Sequence, residues 1–172
     1  MPGSYAQIKD AVLSTLDRNG LRELPINISK WYKNEGWKTL SFSQADQPDV
    51  TVDKSKDGET IKVGDRHIVC YSMAAVPDRI RWTLAHEGAH IILGEDSIDA
   101  EANYFTEQLL MPIAPIAFLG AETVGDIMRL CRVSREAAFN RMDDLVRHRA
   151  YFAKNGYTKR DRQFLRQFGL IK

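Results

Sequence analysis

The chain has 172 residues, 44% of them hydrophobic and 27% charged, with a formal net charge of +1. This is the make-up of one compact globular domain rather than a disordered chain, and no apolar run approaches the ~18 residues that would span a bilayer. Cys70 and Cys131 form no Cys-x-x-Cys pair, and the N-terminal residues lack the basic-then-apolar pattern of a secretory signal. Both point to a reducing cytoplasm with each thiol acting as a small buried hydrophobe.

Charge is unevenly placed. Residues 1–131 carry a balance of −6 and residues 132–172 one of +7. The division expected from this is a domain over 1–150, including a helical hairpin at 122–149, followed by a basic tail at 151–172 that ends in a short helix.

In chain order, Tyr5, Ile8, Val12 and Leu16 recur at helical spacing, with Ser4 able to cap and Asn19-Gly20 to stop the helix. A second helix over about 28–34 opens after Pro25-Ile26-Asn27 and ends at Gly36. From Trp37 to Phe42 the period becomes that of a strand. Val50-Thr51-Val52 offers a short strand, and 60–63 and 67–71 flank a Gly64-Asp65-Arg66 turn as a hairpin. The sum is an α+β fold: helices packed around an antiparallel sheet of three to four strands.

The chemistry sits in the next helix, which starts near Pro77-Asp78 and ends at Gly94. Within it His86-Glu87-Gly88-Ala89-His90 reads H-E-x-x-H. Histidines four apart on a helix lie one turn above each other on one face and can reach one tetrahedral metal ion. Glu87 leans to the side of that face, where a general base acts on water. Gly88 costs roughly 1 kcal/mol against alanine inside a helix, which signals a close neighbour. Zn²⁺ doing chemistry needs a third protein ligand and an open position. A following helix, capped by Asp96 or Ser97 and running from Ala100 to Met111, would double back and bring one in. Its acids are Glu95, Asp96, Asp99, Glu101 and Glu107; geometry prefers Asp99 or Glu101 and does not separate them. Cys70 is a weaker ligand candidate.

Thr83 to Leu93, followed by Glu101-Ala102-Asn103-Tyr104-Phe105 and Leu109-Leu110-Met111-Pro112, resembles the ImmA/IrrE family of gluzincin-like metallopeptidases. The likeness extends weakly over residues 8–148. Thr106 stands where the family usually has alanine, and Ala89 where it has the glycine before the second histidine. The resemblance implies a zinc-dependent intracellular endopeptidase with ligands His86, His90 and Glu101, with Mn²⁺ as the alternative ion. It also implies a protein substrate such as a helix-turn-helix repressor of a phage or mobile element. For the oxyanion donor, His67, Tyr71 and Tyr104 have suitable chemistry.

After a linker-like piece at 115–121, the helices at 122–131 and 134–149, broken at Arg132-Val133-Ser134, form a helix-turn-helix-like pair. With the basic end this carries the alternative expectation, a regulator that binds DNA or a partner protein through a metal-containing domain of little proteolytic activity. Phe164, Leu165 and Phe168 are the apolar positions of the last helix, which can dock on the domain or on a partner, a mobile tail being the alternative.

Overall fold

The computed structural model describes residues 4–45, 52–94 and 96–172. Helix α1 (Tyr5–Arg18) begins at a capping box in which Gln7 N–H donates to Ser4 Oγ and Ser4 N–H donates to Gln7 Oε1. Of its expected stripe, Ile8, Val12 and Leu16 are buried, as the spacing requires, while Tyr5 in the first turn is exposed. Helix α2 (Ile28–Glu35) is capped by Asn27 and ends at Gly36, whose φ of 73° is the left-handed geometry a glycine adopts freely. It delivers Trp31 into the core.

Strands β1 (Lys38–Ser41), β2 (Gly58–Val63) and β3 (Arg66–Tyr71) form one sheet in the order β1-β3-β2. The expected hairpin is β2–β3, antiparallel, with Thr60 opposite Val69 and Lys62 opposite His67. The all-antiparallel sheet is corrected: β1 lies on the far side of β3 and runs parallel to it. Alternation marks a strand and its faces, but it does not say which edge the strand joins. Of the expected strand at 50–52, Val50 and Thr51 lie outside the described residues, and Val52 is not in a strand.

The sheet has two different faces. Cys70, Leu40, Ile61 and Ile68 turn toward Phe42 and Ala45 in a small separate cluster. Val69 turns the other way, into the main core. Against that second face packs α3 (Pro77–Leu93), with Pro77 at its first turn and Asp78 close behind. The close neighbour of Gly88 is aromatic: a β-carbon there would sit 2.6 Å from Cη2 of Trp31 and 3.2 Å from Trp37 Cζ3.

Helix α4 (Asp99–Leu110) doubles back along α3 and buries Ala102, Phe105 and Leu109. Then follow α5 (Ile113–Phe118), α6 (Val124–Cys131) and α7 (Arg135–Asn155), the last two joined through Arg132 in the left-handed region at φ 51°. Arg141 is buried and donates from Nε to the Met111 carbonyl at 2.9 Å, tying α7 to the end of α4. Helix α8 (Lys159–Gln167) starts at a Thr158–Asp161 capping box and lies against α1 and α5. The expected boundary after residue 150 therefore falls inside α7, and Phe164 and Phe168 belong to the main core. The burial of those aromatics, rather than the basic charge of the segment, decides where it goes.

Candidate metal centre

Two helices build the centre. On α3, His86 and His90 stand one turn apart with their Nε2 atoms 3.2 Å from each other. Asp99 opens α4 and brings Oδ1 to 3.3 Å from His90 Nε2 and 3.6 Å from His86 Nε2. Ligands at the usual 2.0–2.1 Å from a tetrahedral zinc are about 3.3 Å from one another. The three separations thus match the edges of one face of such a tetrahedron, and the donor set of two imidazoles and a carboxylate suits zinc chemistry. His86, His90 and Asp99 form a group able to hold a metal ion.

The hydrogen bonding of His90 and the burial of His86 agree with that role. The Ser97 hydroxyl donates to the Gly94 carbonyl at 2.7 Å and lies 2.9 Å from His90 Nδ1. Its one proton being used, it accepts from Nδ1–H. In the neutral ring Nε2 then carries the lone pair, the tautomer a metal ligand needs. For His86, burial first and the neighbouring His90 second hold the ring below its ordinary pKa, while Glu87, Asp99 and Asn103 oppose them. A neutral ring is the one that binds metal.

Glu87 is fixed from the sheet. Thr60 on β2 donates its hydroxyl to Glu87 Oε2 at 2.7 Å. The strand comes this close because Gly58 has no side chain: a β-carbon there would lie 2.4 Å from Thr83 Cγ2 and 3.4 Å from Glu87 Cγ. Arg79 in the first turn of α3 pairs with Asp57 just before the strand, holding the two elements together at that end.

The expected third ligand, Glu101, is not the acid beside the imidazoles. It is 9% exposed, its Oε2 accepts the Ile98 N–H at 3.3 Å, and its Oε1 is buried without a hydrogen bond. The reason is helical geometry. Two residues apart on α4 means roughly 200° around the axis, so Asp99 and Glu101 cannot face the same way. Glu101 shares the buried stripe of Phe105 and Leu109, four and eight residues on. Asp99 shares its face with Asn103, which borders the centre next to His86. Ser97 does not cap α4, since its hydroxyl serves His90 instead.

Of the other candidates, Asp96 is exposed and outside the cluster, and Glu95 lies outside the described residues. Glu107 is on another side of α4, where burial raises its pKa despite Arg141. Cys70 faces away in the small cluster, its thiol pushed up by burial. Tyr104 packs its ring against Tyr5, centroids 4.5 Å apart and planes tilted by 56°, away from the cleft. His67 lines the cleft and Tyr71 does not.

That cleft, about 1140 Å³, runs over the centre between β2 and α3, bounded by Gly58 to Thr60, Trp82, Thr83 and Ile91. Asp99, with a side chain 86% exposed, lies on its open side. Among the described residues no helix is long and apolar enough to cross a membrane. The chain matches no protein-family model and no curated protein.

Proposed function

We propose that this chain is a zinc-dependent intracellular endopeptidase, with His86, His90 and Asp99 as the metal ligands and Glu87 as the general base. The observation that supports it most is the set of separations among the three donor atoms, alongside a carboxylate one residue from the first ligand that takes no part in the cluster. A metal held only for structure is closed by a fourth protein ligand and has no use for such a base.

When bound, the ion supplies a Lewis acid that polarises a carbonyl and acidifies a water molecule. The rest belongs to the chain. Ser97 orients His90, and burial favours the neutral form of His86. With Thr60 on one carboxylate oxygen, Glu87 keeps the other to take a proton from the attacking water. The water oxygen bonds to the carbonyl carbon, the C–N bond breaks, and the same proton passes from Glu87 to the leaving nitrogen. Strand β2 is a sheet edge beside the cleft, so an extended substrate segment can add along it.

The resemblance to ImmA/IrrE metallopeptidases supports the peptidase reading, while implying Glu101 rather than Asp99 as third ligand, and suggests the substrate: a helix-turn-helix repressor of a phage or mobile element, cut in the cytoplasm. The test is co-expression with the product of the adjacent regulator gene. The wild type cuts that protein in a metal-dependent way, and Glu87→Gln keeps its metal and does not cut. Full cleavage by Glu87→Gln removes the mechanism.

A further inference from the structure

We infer that Thr60 is a positioning residue for Glu87, so that the strand lining the cleft sets the direction of the general base. This rests on the peptidase reading above and goes beyond the helix motif, since Thr60 lies 27 residues before Glu87 on a separate element. Three observations carry it. The Thr60 hydroxyl is 2.7 Å from Glu87 Oε2 and is the one hydrogen bond the carboxylate makes among the described residues. The strand alternation that sends Ile61 to the small cluster on the far face sends Gly58, Thr60 and Lys62 toward α3. And Gly58 gives up a side chain where any β-carbon would meet Thr83, which brings β2 near enough for the hydroxyl to reach.

A glutamate side chain has three rotatable bonds, and its fixation beside the histidines has an entropic cost. One charge-assisted bond from a rigid strand holds it in a single orientation. The carboxylate oxygen left over is then the one presented to the cleft. The segment that would border the substrate and the group that aims the base are thereby the same strand.

The test compares Thr60→Val, of nearly equal shape and without the hydroxyl, with Thr60→Ser, which keeps it. Zinc-loaded proteins are incubated with a proteome-derived peptide library, and kcat and KM are measured on a peptide the wild type cuts. Thr60→Val is expected to lower kcat about tenfold, the scale of one lost bond to a charged group, with KM and zinc stoichiometry unchanged. Thr60→Ser stays within about twofold of the wild type. A second readout needs no turnover: crystal structures of the metal-free wild type and Thr60→Val should differ in Glu87, ordered against β2 in the first and spread over several rotamers in the second. An unchanged kcat in Thr60→Val, or an unmoved Glu87, overturns the role of Thr60 while leaving Glu87→Gln inactive and the peptidase reading intact. Full activity in Glu87→Gln, or no peptide cut by the wild type, overturns both.

Discussion

His90 Nδ1 lies 2.9 Å from a Ser97 hydroxyl whose own proton is committed to the Gly94 carbonyl. Of the two neutral tautomers, this contact selects the one whose Nε2 lone pair points toward Asp99 and His86. Removal of such an outer partner typically costs 10- to 100-fold in metal affinity. Ser97→Ala is expected to lose zinc affinity in that range against a chromogenic chelator, and Ser97→Thr to keep most of it. Because Ser97 does not cap α4, the thermal midpoint of the metal-free protein should move little. Equal affinity in wild type and Ser97→Ala would mean that the ring needs no such support.

The two acids of the first turn of α4 separate cleanly. Asp99→Ala removes an atom 3.3 Å from His90 Nε2 and is expected to abolish stoichiometric zinc binding. Glu101→Gln changes a side chain whose contact is the Ile98 N–H, and should bind zinc as the wild type does. Metal content after dialysis, by atomic absorption, gives the answer. The reverse pattern would mean that α4 turns on its axis when the ion binds.

Much of this centre is legible in the chain. The H-E-x-x-H spacing fixes which atoms of α3 converge, and the short link to α4 limits the third ligand to a few acids. Between Asp99 and Glu101 the helical period gives each its face: Glu101 is in phase with Phe105 and Leu109, both core residues, and Asp99 with Asn103, which borders the cleft. The Ser97 role is harder to see, because a serine before a helix reads first as a cap. Thr60 and the parallel pairing of β1 depend on contacts far apart in sequence, for which alternation gives a face and no partner. The last helix is a similar case: its basic charge reads as a tail, and only its aromatic positions show that it docks.

Gly88 and Gly125 form a matched pair for stability. At Gly88 a methyl group would meet the fully buried Trp31 ring at 2.6 Å. Forced repacking of this kind costs about 1–3 kcal/mol, against a helix-propensity gain of about 1. At Gly125 the nearest atoms would be Arg129 Nη1 at 3.5 Å and Thr123 Oγ1 at 3.6 Å, ordinary contacts. Gly88→Ala should lower the thermal midpoint, and Gly125→Ala should raise it by an amount equivalent to about 0.5–1 kcal/mol. Two shifts of the same sign would mean that the packing of Trp31 on α3 is looser than the structure has it.

His148 gives the fold a pH dependence away from the metal centre. Burial holds its pKa below the ordinary value; Asp161, 4.0 Å from Nδ1, opposes this, and Lys9 and Arg141 reinforce it. Nε2 is buried with no hydrogen bond, and the Tyr157 ring stacks nearby. The unfolded chain thus takes up a proton at a pH where the folded protein resists it. Stability is complete above the unfolded value of about 6.5 and is lost as pH falls below it toward the folded value. His86 is shifted in the same direction, so the two must be separated by mutation. In chelator, the thermal midpoint should fall more between about pH 7.5 and pH 5.5 for the wild type than for His148→Gln, which carries no titrating ring. Identical profiles would show that the α7–α8 junction accepts the charge without cost, Asp161 then compensating burial in full.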